Sequence, residues 1–162
     1  MFDNKKPNGG CPGSKMQQSA PLADSTDGEA GGSTTRQSEL AQWPVQLTLV
    51  PPTAPYFKKA HLSLVADCVP FAYNDYHKDF LKGRSIVVGC PKLDDLQSYI
   101  DKLAEIFKQN DLKSVEVLLM EVPCCGGLAH AARVACEQAG VSTPIKVTTI
   151  GVRGENFGSI DL

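Results

Sequence analysis

No stretch of this chain comes near the roughly 20 consecutive apolar residues that a membrane-spanning helix requires, and no internal repeat is visible. The opening residues, MFDNKKPNGGCPGSK, carry two lysines with no apolar segment behind them, so they do not read as a secretory signal. The reading is therefore a cytoplasmic protein. A charge excess is missing too. Sixteen Lys and Arg stand against 18 Asp and Glu, for a net charge of -2, which removes the electrostatic reason to expect nucleic acid or an anionic membrane as partner. No P-loop, no G-x-G-x-x-G and no Ser-His-Asp signature is present, which leaves nucleotide-driven, dinucleotide-binding and hydrolase readings without support. Paired C-x₂-C spacings, the usual mark of zinc ribbons and ferredoxins, are absent as well.

What is present suits one core. The chain has 162 residues, 42% hydrophobic and 21% charged, a size that supports a single domain. Residues 1–38, with GGCPGSKMQQSAPLADSTDGEAGGSTTRQS, are rich in Gly, Ser, Thr, Asp and Gln. They offer too little apolar surface to offset the entropy of ordering them, so they read as a flexible tail. The folded part is expected over residues 39–162.

Five apolar runs read as strands: VQLTLV (Val45 to Val50), HLSLVAD (His61 to Asp67), RSIVVG (Arg84 to Gly89), SVEVLLMEV (Ser114 to Val122) and IKVTTIGV (Ile145 to Val152). Their continuity suits strands covered on both faces, as in parallel sheets. Between them, Leu96, Ile100, Leu103 and Phe107 recur at helical spacing, with Asp94 or Asp95 available as N-cap. Leu128, Ala132, Ala135 and Ala139 repeat the pattern, closed by Gly140. AYNDYHKDFLKG predicts a shorter helix. The alternation implies a single three-layer α/β domain with a mainly parallel sheet.

Six cysteines are present, at 11, 68, 90, 124, 125 and 136. A reducing cytoplasm disfavours structural disulfides, which shifts the reading toward metal binding or redox chemistry. Cys68, Cys90 and the Cys124–Cys125 pair each follow a predicted strand and precede a predicted helix. In a parallel sheet all such positions lie along one edge, where α/β proteins bind ligands. Three segments would thus bring four sulfurs to one crevice, and helix N-termini beside them favour thiolate. Four thiolates suit an iron–sulfur cluster or tetrahedral zinc. Adjacent cysteines need not both ligate, so one of Cys124 and Cys125 can stand behind the other. Cys136 reads as a core thiol, and His61 and His130 as ordinary surface residues. His77 and Cys11 are candidate extra ligands, although a solvated helix position and an exposed tail thiol are the plainer readings of each.

The phrases SELAQWPVQLTLVPPTAPYF, ADCVPFAYNDYHKDFLKG, GCPKLDD and MEVPCCGGL resemble the domain that often follows a two-cluster ferredoxin module in anaerobic bacterial iron–sulfur proteins. That resemblance spans nearly the whole folded region. It implies an iron–sulfur accessory protein for electron transfer rather than a catalyst, with Cys68, Cys90, Cys124 and Cys125 as the positions carried over. The cofactor implied is a 4Fe-4S cluster, and the partner a redox protein such as a ferredoxin or an oxidoreductase. The CCG element is also similar to cysteine-rich domains that hold clusters in disulfide-reducing enzymes. One departure matters: the C-x₂-C-x₂-C-x₃-C-P run of the ferredoxin module is missing here. Electrons would have to come from a separate protein. Two alternatives stay open, a zinc-thiolate interaction module and a metal-free thiol enzyme with Cys124 or Cys125 as nucleophile.

Overall fold

The computed structural model describes residues 12–19 and 37–162. Most of the segment expected to be a tail, including Cys11, lies outside the described residues. Within it, a 3₁₀ turn at Pro12–Ser14 leads to a two-residue strand, β1 (Gln17–Gln18), which pairs antiparallel with β2 (Gln42–Trp43). The Trp43 indole Nε1 donates to the Gly13 carbonyl at 2.7 Å.

The main sheet is built from β3 (His61–Ala66), β4 (Ser85–Gly89), β5 (Ser114–Met120), β6 (Ile145–Ile150) and β7 (Asn156–Asp161), in spatial order β4-β3-β5-β6-β7. The first four run parallel, and β7 returns antiparallel to β6. β3 and β5 have almost every residue buried, because helical segments cover both faces. The apolar runs therefore form strands where the sequence predicts them, except at VQLTLV. There only Gln46 forms a bridge, parallel to Val88, and the chain then curls so that the Leu49 and Val50 amides both donate to the Gln46 carbonyl. Leu47 and Val50 are fully buried. A spacing of three brings both inward on a turn, whereas a strand would point them to opposite faces.

The helix α1 is a single turn, Val69–Ala72; α2 spans Leu96–Asn110 and α3 Gly126–Ala139. The predicted helix in AYNDYHKDFLKG is instead split between α1 and a π-helical turn at His77–Leu81. Asp95, not Asp94, caps α2, its carboxylate accepting from the Gln97 and Ser98 amides. Gly140 at φ 67 closes α3 in the left-handed conformation that glycine takes without strain. Right-handed crossovers put α2 and α3 on one face of the sheet, where they pack together, and the 69–81 segment on the other.

The outer edge of β4 is covered. The buried Gln42 side chain accepts from the Ile86 amide at 3.0 Å and donates to the Ile86 carbonyl at 2.8 Å. Its carboxamide imitates a strand backbone, and residues 45–47 continue the pairing through Val88. The core runs through Leu62, Leu64, Leu103, Ile106, Leu118 and Leu128, each fully buried. Burying a side chain of this size is worth about 2 kcal/mol.

Candidate functional site at the carboxyl edge of the sheet

The chain leaves β3 toward β4 on one side, then crosses back past β3 to β5 on the other. The crevice between the carboxyl ends of β3 and β5 is thus the point where strand order reverses, the usual ligand site of an open α/β sheet. Cys68 stands on its β3 side as the residue preceding α1. Its carbonyl accepts from the Phe71 and Ala72 amides, and its thiol is exposed. On the β5 side, Pro123 opens a 3₁₀ turn, Pro123–Cys125, that runs straight into α3. Cys124 is exposed and Cys125 is 5% exposed. No side chain caps α3 and no acidic residue occupies its first turn. The partial positive charge of that helix end is left for whatever lies beside the thiols.

Burial pushes the Cys125 thiol above its ordinary range, and the neighbouring Cys124 and Cys68 push it further, against a backbone hydrogen bond at Met120. Cys68 and the Cys124–Cys125 pair thus follow two neighbouring parallel strands, β3 and β5, at the same edge of the sheet.

Cys90 follows β4 and is half-buried, and it is not among the groups that shift Cys125. Its loop is nevertheless held against the start of α3. A Cβ added at Gly127 would lie 2.9 Å from Pro91 Cβ, so only glycine lets the Cys90–Pro91 turn come this close. The Cys90 amide donates to the Tyr99 hydroxyl at 3.1 Å, and that hydroxyl donates to Asp94. Gly89 makes room for the Tyr99 ring, since a side chain there would collide with it.

The other candidate residues lie apart. The exposed His77 accepts at Nδ1 from the Glu39 amide, 3.2 Å away. Cys136, near the far end of α3, donates to the Val141 carbonyl at 3.1 Å and serves the helix terminus. Among the described residues, no group of three or more His, Cys, Asp or Glu is arranged to hold a metal ion.

Sequence reasoning passed over Tyr99, Asp94 and Asp67. Tyr99 falls outside the apolar face of Leu96, Ile100, Leu103 and Phe107, yet its hydroxyl fixes the Cys90 turn. Asp67 follows β3 directly, and burial and the charge of Asp94 raise its carboxyl, against a hydrogen bond from Gln46. The adjacent acids of KLDD carried the only signal: one is needed as cap, which frees the other.

A crevice at the strand-order reversal of a mostly parallel sheet defines a Rossmann-like architecture, and residues 54–160 match the family model of a Rossmann-like domain. The chain belongs to that family. A protein of the archaeon Archaeoglobus fulgidus, itself described as an uncharacterized protein, is 34% identical over 116 residues, which cover 72% of this chain and 81% of the relative. No solved structure matches the chain. The resemblance to a ferredoxin-associated domain is thus met only at the coarser level of a Rossmann-like fold and an archaeal relative. No helix among the described residues is long and apolar enough to cross a membrane.

Proposed function

We propose that the chain is a metal-thiolate protein that holds an iron–sulfur cluster through Cys68, Cys124 and Cys125, with Cys90 from the adjoining loop, and exchanges electrons with a separate redox protein. One observation carries this reading: Cys68, Cys90 and the Cys124–Cys125 pair each follow a parallel strand, β3, β4 or β5, at the same carboxyl edge of one sheet. Thiolates brought together at that edge would repel one another and be stabilised by a cation placed among them, because ligation replaces repulsion. Burial, which pushes the Cys125 thiol up, speaks against a nucleophilic Cys125, since an attacking thiol needs its pKa lowered. A bound cluster supplies one-electron chemistry. The protein's own residues do the rest. The turns at Cys68 and Pro123–Cys125 set the sulfurs at the crevice, Tyr99 fixes the Cys90 backbone, and the open first turn of α3 offsets the negative charge of the thiolates.

Oxygen-free purification, or reconstitution with ferrous iron and sulfide, followed by iron, sulfide and zinc analysis, tests this. The expected outcome is a brown protein with iron and acid-labile sulfide in equal amounts. The Cys68→Ser/Cys124→Ser double variant is expected to bind at least tenfold less iron while remaining folded. Stoichiometric zinc without sulfide would move the reading to a zinc-thiolate module. Protein that takes up neither metal would overturn it.

A further inference from the structure

On the face of the sheet opposite α2 and α3 lies a cleft of about 580 Å³, within the usual range of small-molecule sites. Its floor is Ile86 and Val88 of β4, and its walls include Trp43 and Phe71. Phe71 is 92% exposed, an unusual position for a phenylalanine in water, and Trp43 is 39% exposed. The lining includes Asp67 and His77 but neither lysine nor arginine. A phosphate or carboxylate ligand would find no countercharge.

Two polar atoms of lining residues have no hydrogen-bond partner. The Tyr76 hydroxyl belongs to a side chain only 4% exposed, and Asp67 Oδ1 is buried too, Gln46 being the donor that reaches the Asp67 carboxylate. Buried polar groups without partners are uncommon in native proteins and call for a ligand or water. Both atoms can accept an N–H. The carboxylate makes the stronger, charge-assisted bond, and Asp94 adds negative charge nearby.

We propose that this cleft binds a small organic amine with an apolar ring, its ammonium group meeting Asp67 and the Tyr76 hydroxyl and its ring packing against Trp43, Ile86 and Val88. The inference is independent of what the thiols hold, although Asp67 adjoins Cys68 and such a ligand would sit beside that centre.

Trp43 is the single tryptophan of the chain, so its fluorescence reports occupancy directly. Phenethylamine and phenylacetate, equal in size and opposite in charge, are the probes, titrated into the full-length protein. The amine is expected to give a saturable change, with phenylacetate at least tenfold weaker. Asp67→Asn should erase that preference, and Tyr76→Phe, which keeps the ring, should weaken amine binding several-fold. Repeating the titration on the Cys68→Ser/Cys124→Ser protein should give the same affinity, which separates this site from the cluster proposal. No saturable response to the amine, an equal response to both probes, or a charge preference that survives both Asp67→Asn and Tyr76→Phe would overturn the proposal. Should Asp67→Asn fail to fold, the charge discrimination of the native protein together with Tyr76→Phe still decides it.

Discussion

At the amino end of the strands, the buried Glu116 of β5 meets Arg84 at 2.5 Å, Lys146 at 3.3 Å and the Thr148 hydroxyl at 2.7 Å. At the carboxyl end, Asp67 leaves one oxygen without a partner, Tyr76 leaves its hydroxyl without one, and burial and neighbouring cysteines push the Cys125 thiol up. Both ends bring ionisable groups onto the same four strands. Glu116 at the first end is neutralised by the protein's own residues. A buried charge matched internally serves the fold, whereas a buried polar atom left unmatched is a place where a ligand or water can bind. The contrast teaches where to look: the well-paired acid is structural, and the poorly paired one is where the proposed ligand would sit.

Removing the paired acid should cost most. Glu116→Ala is expected to lower stability by about 3 kcal/mol, at the lower bound for a broken buried pair because Arg84 and Lys146 retain solvent contact. Denaturant unfolding would measure it, and thiol chemistry at the other end should be unchanged. Next in size is Tyr99→Phe. Losing the hydroxyl deprives the Cys90 amide of its acceptor, a loss of about 1.5 kcal/mol, and hydrogen exchange at Cys90 should quicken while exchange in β5 does not. A smaller effect is expected from Gly127→Ala. Overpacking against Pro91 costs about 2 kcal/mol and the better helix former returns about 1 kcal/mol, so thermal unfolding should show a net loss near the difference. A net gain would mean that the Cys90 turn can retreat from α3.

The last test is in alkali. Burial pushes the Tyr76 phenol up to about 12, against about 10 in the unfolded chain. The unfolded state therefore releases its proton first as pH rises. The stability that Tyr76 contributes is complete below pH about 10 and is lost as pH climbs toward about 12. Tyr56, shifted in the same way, adds to the loss. Tyr76→Phe should flatten this part of the curve in urea unfolding measured at pH 9 and pH 11.

How far the sequence could be read depended on whether a residue's environment was local. Four strands were legible because HLSLVA, SIVVG and SVEVLLM are nearly continuous apolar runs buried on both faces, while IKVTTI, with Lys146 exposed, is marked by its β-branched residues. The edge strand β7 was not. NFGSID has no apolar run because all six residues are exposed, and it is ordered by pairing with β6 alone. VQLTLV misled because β-branched residues in a short apolar stretch read as a strand, while the burial of Leu47 and Val50 follows a turn. The placement of Cys68, Cys90 and Cys124–Cys125 at strand ends follows from parallel topology. Which sulfurs approach which depends on strand order, and no local pattern carries that. The cleft was out of reach for the same reason: Trp43, Asp67 and Tyr76 meet only through the packing of residues 38–46 over β4.

That last packing bears on how this molecule can be divided. The family match starts at residue 54, yet Gln42 and Gln46 lie before it and shield the outer rim of β4. A fragment trimmed to the matched region would bare the Ile86 and Val88 backbone, a template on which another chain can add a strand. Recombinant work that trusts the match for its cut site should therefore expect sticky, poorly behaved material, and one beginning before Ser38 should not.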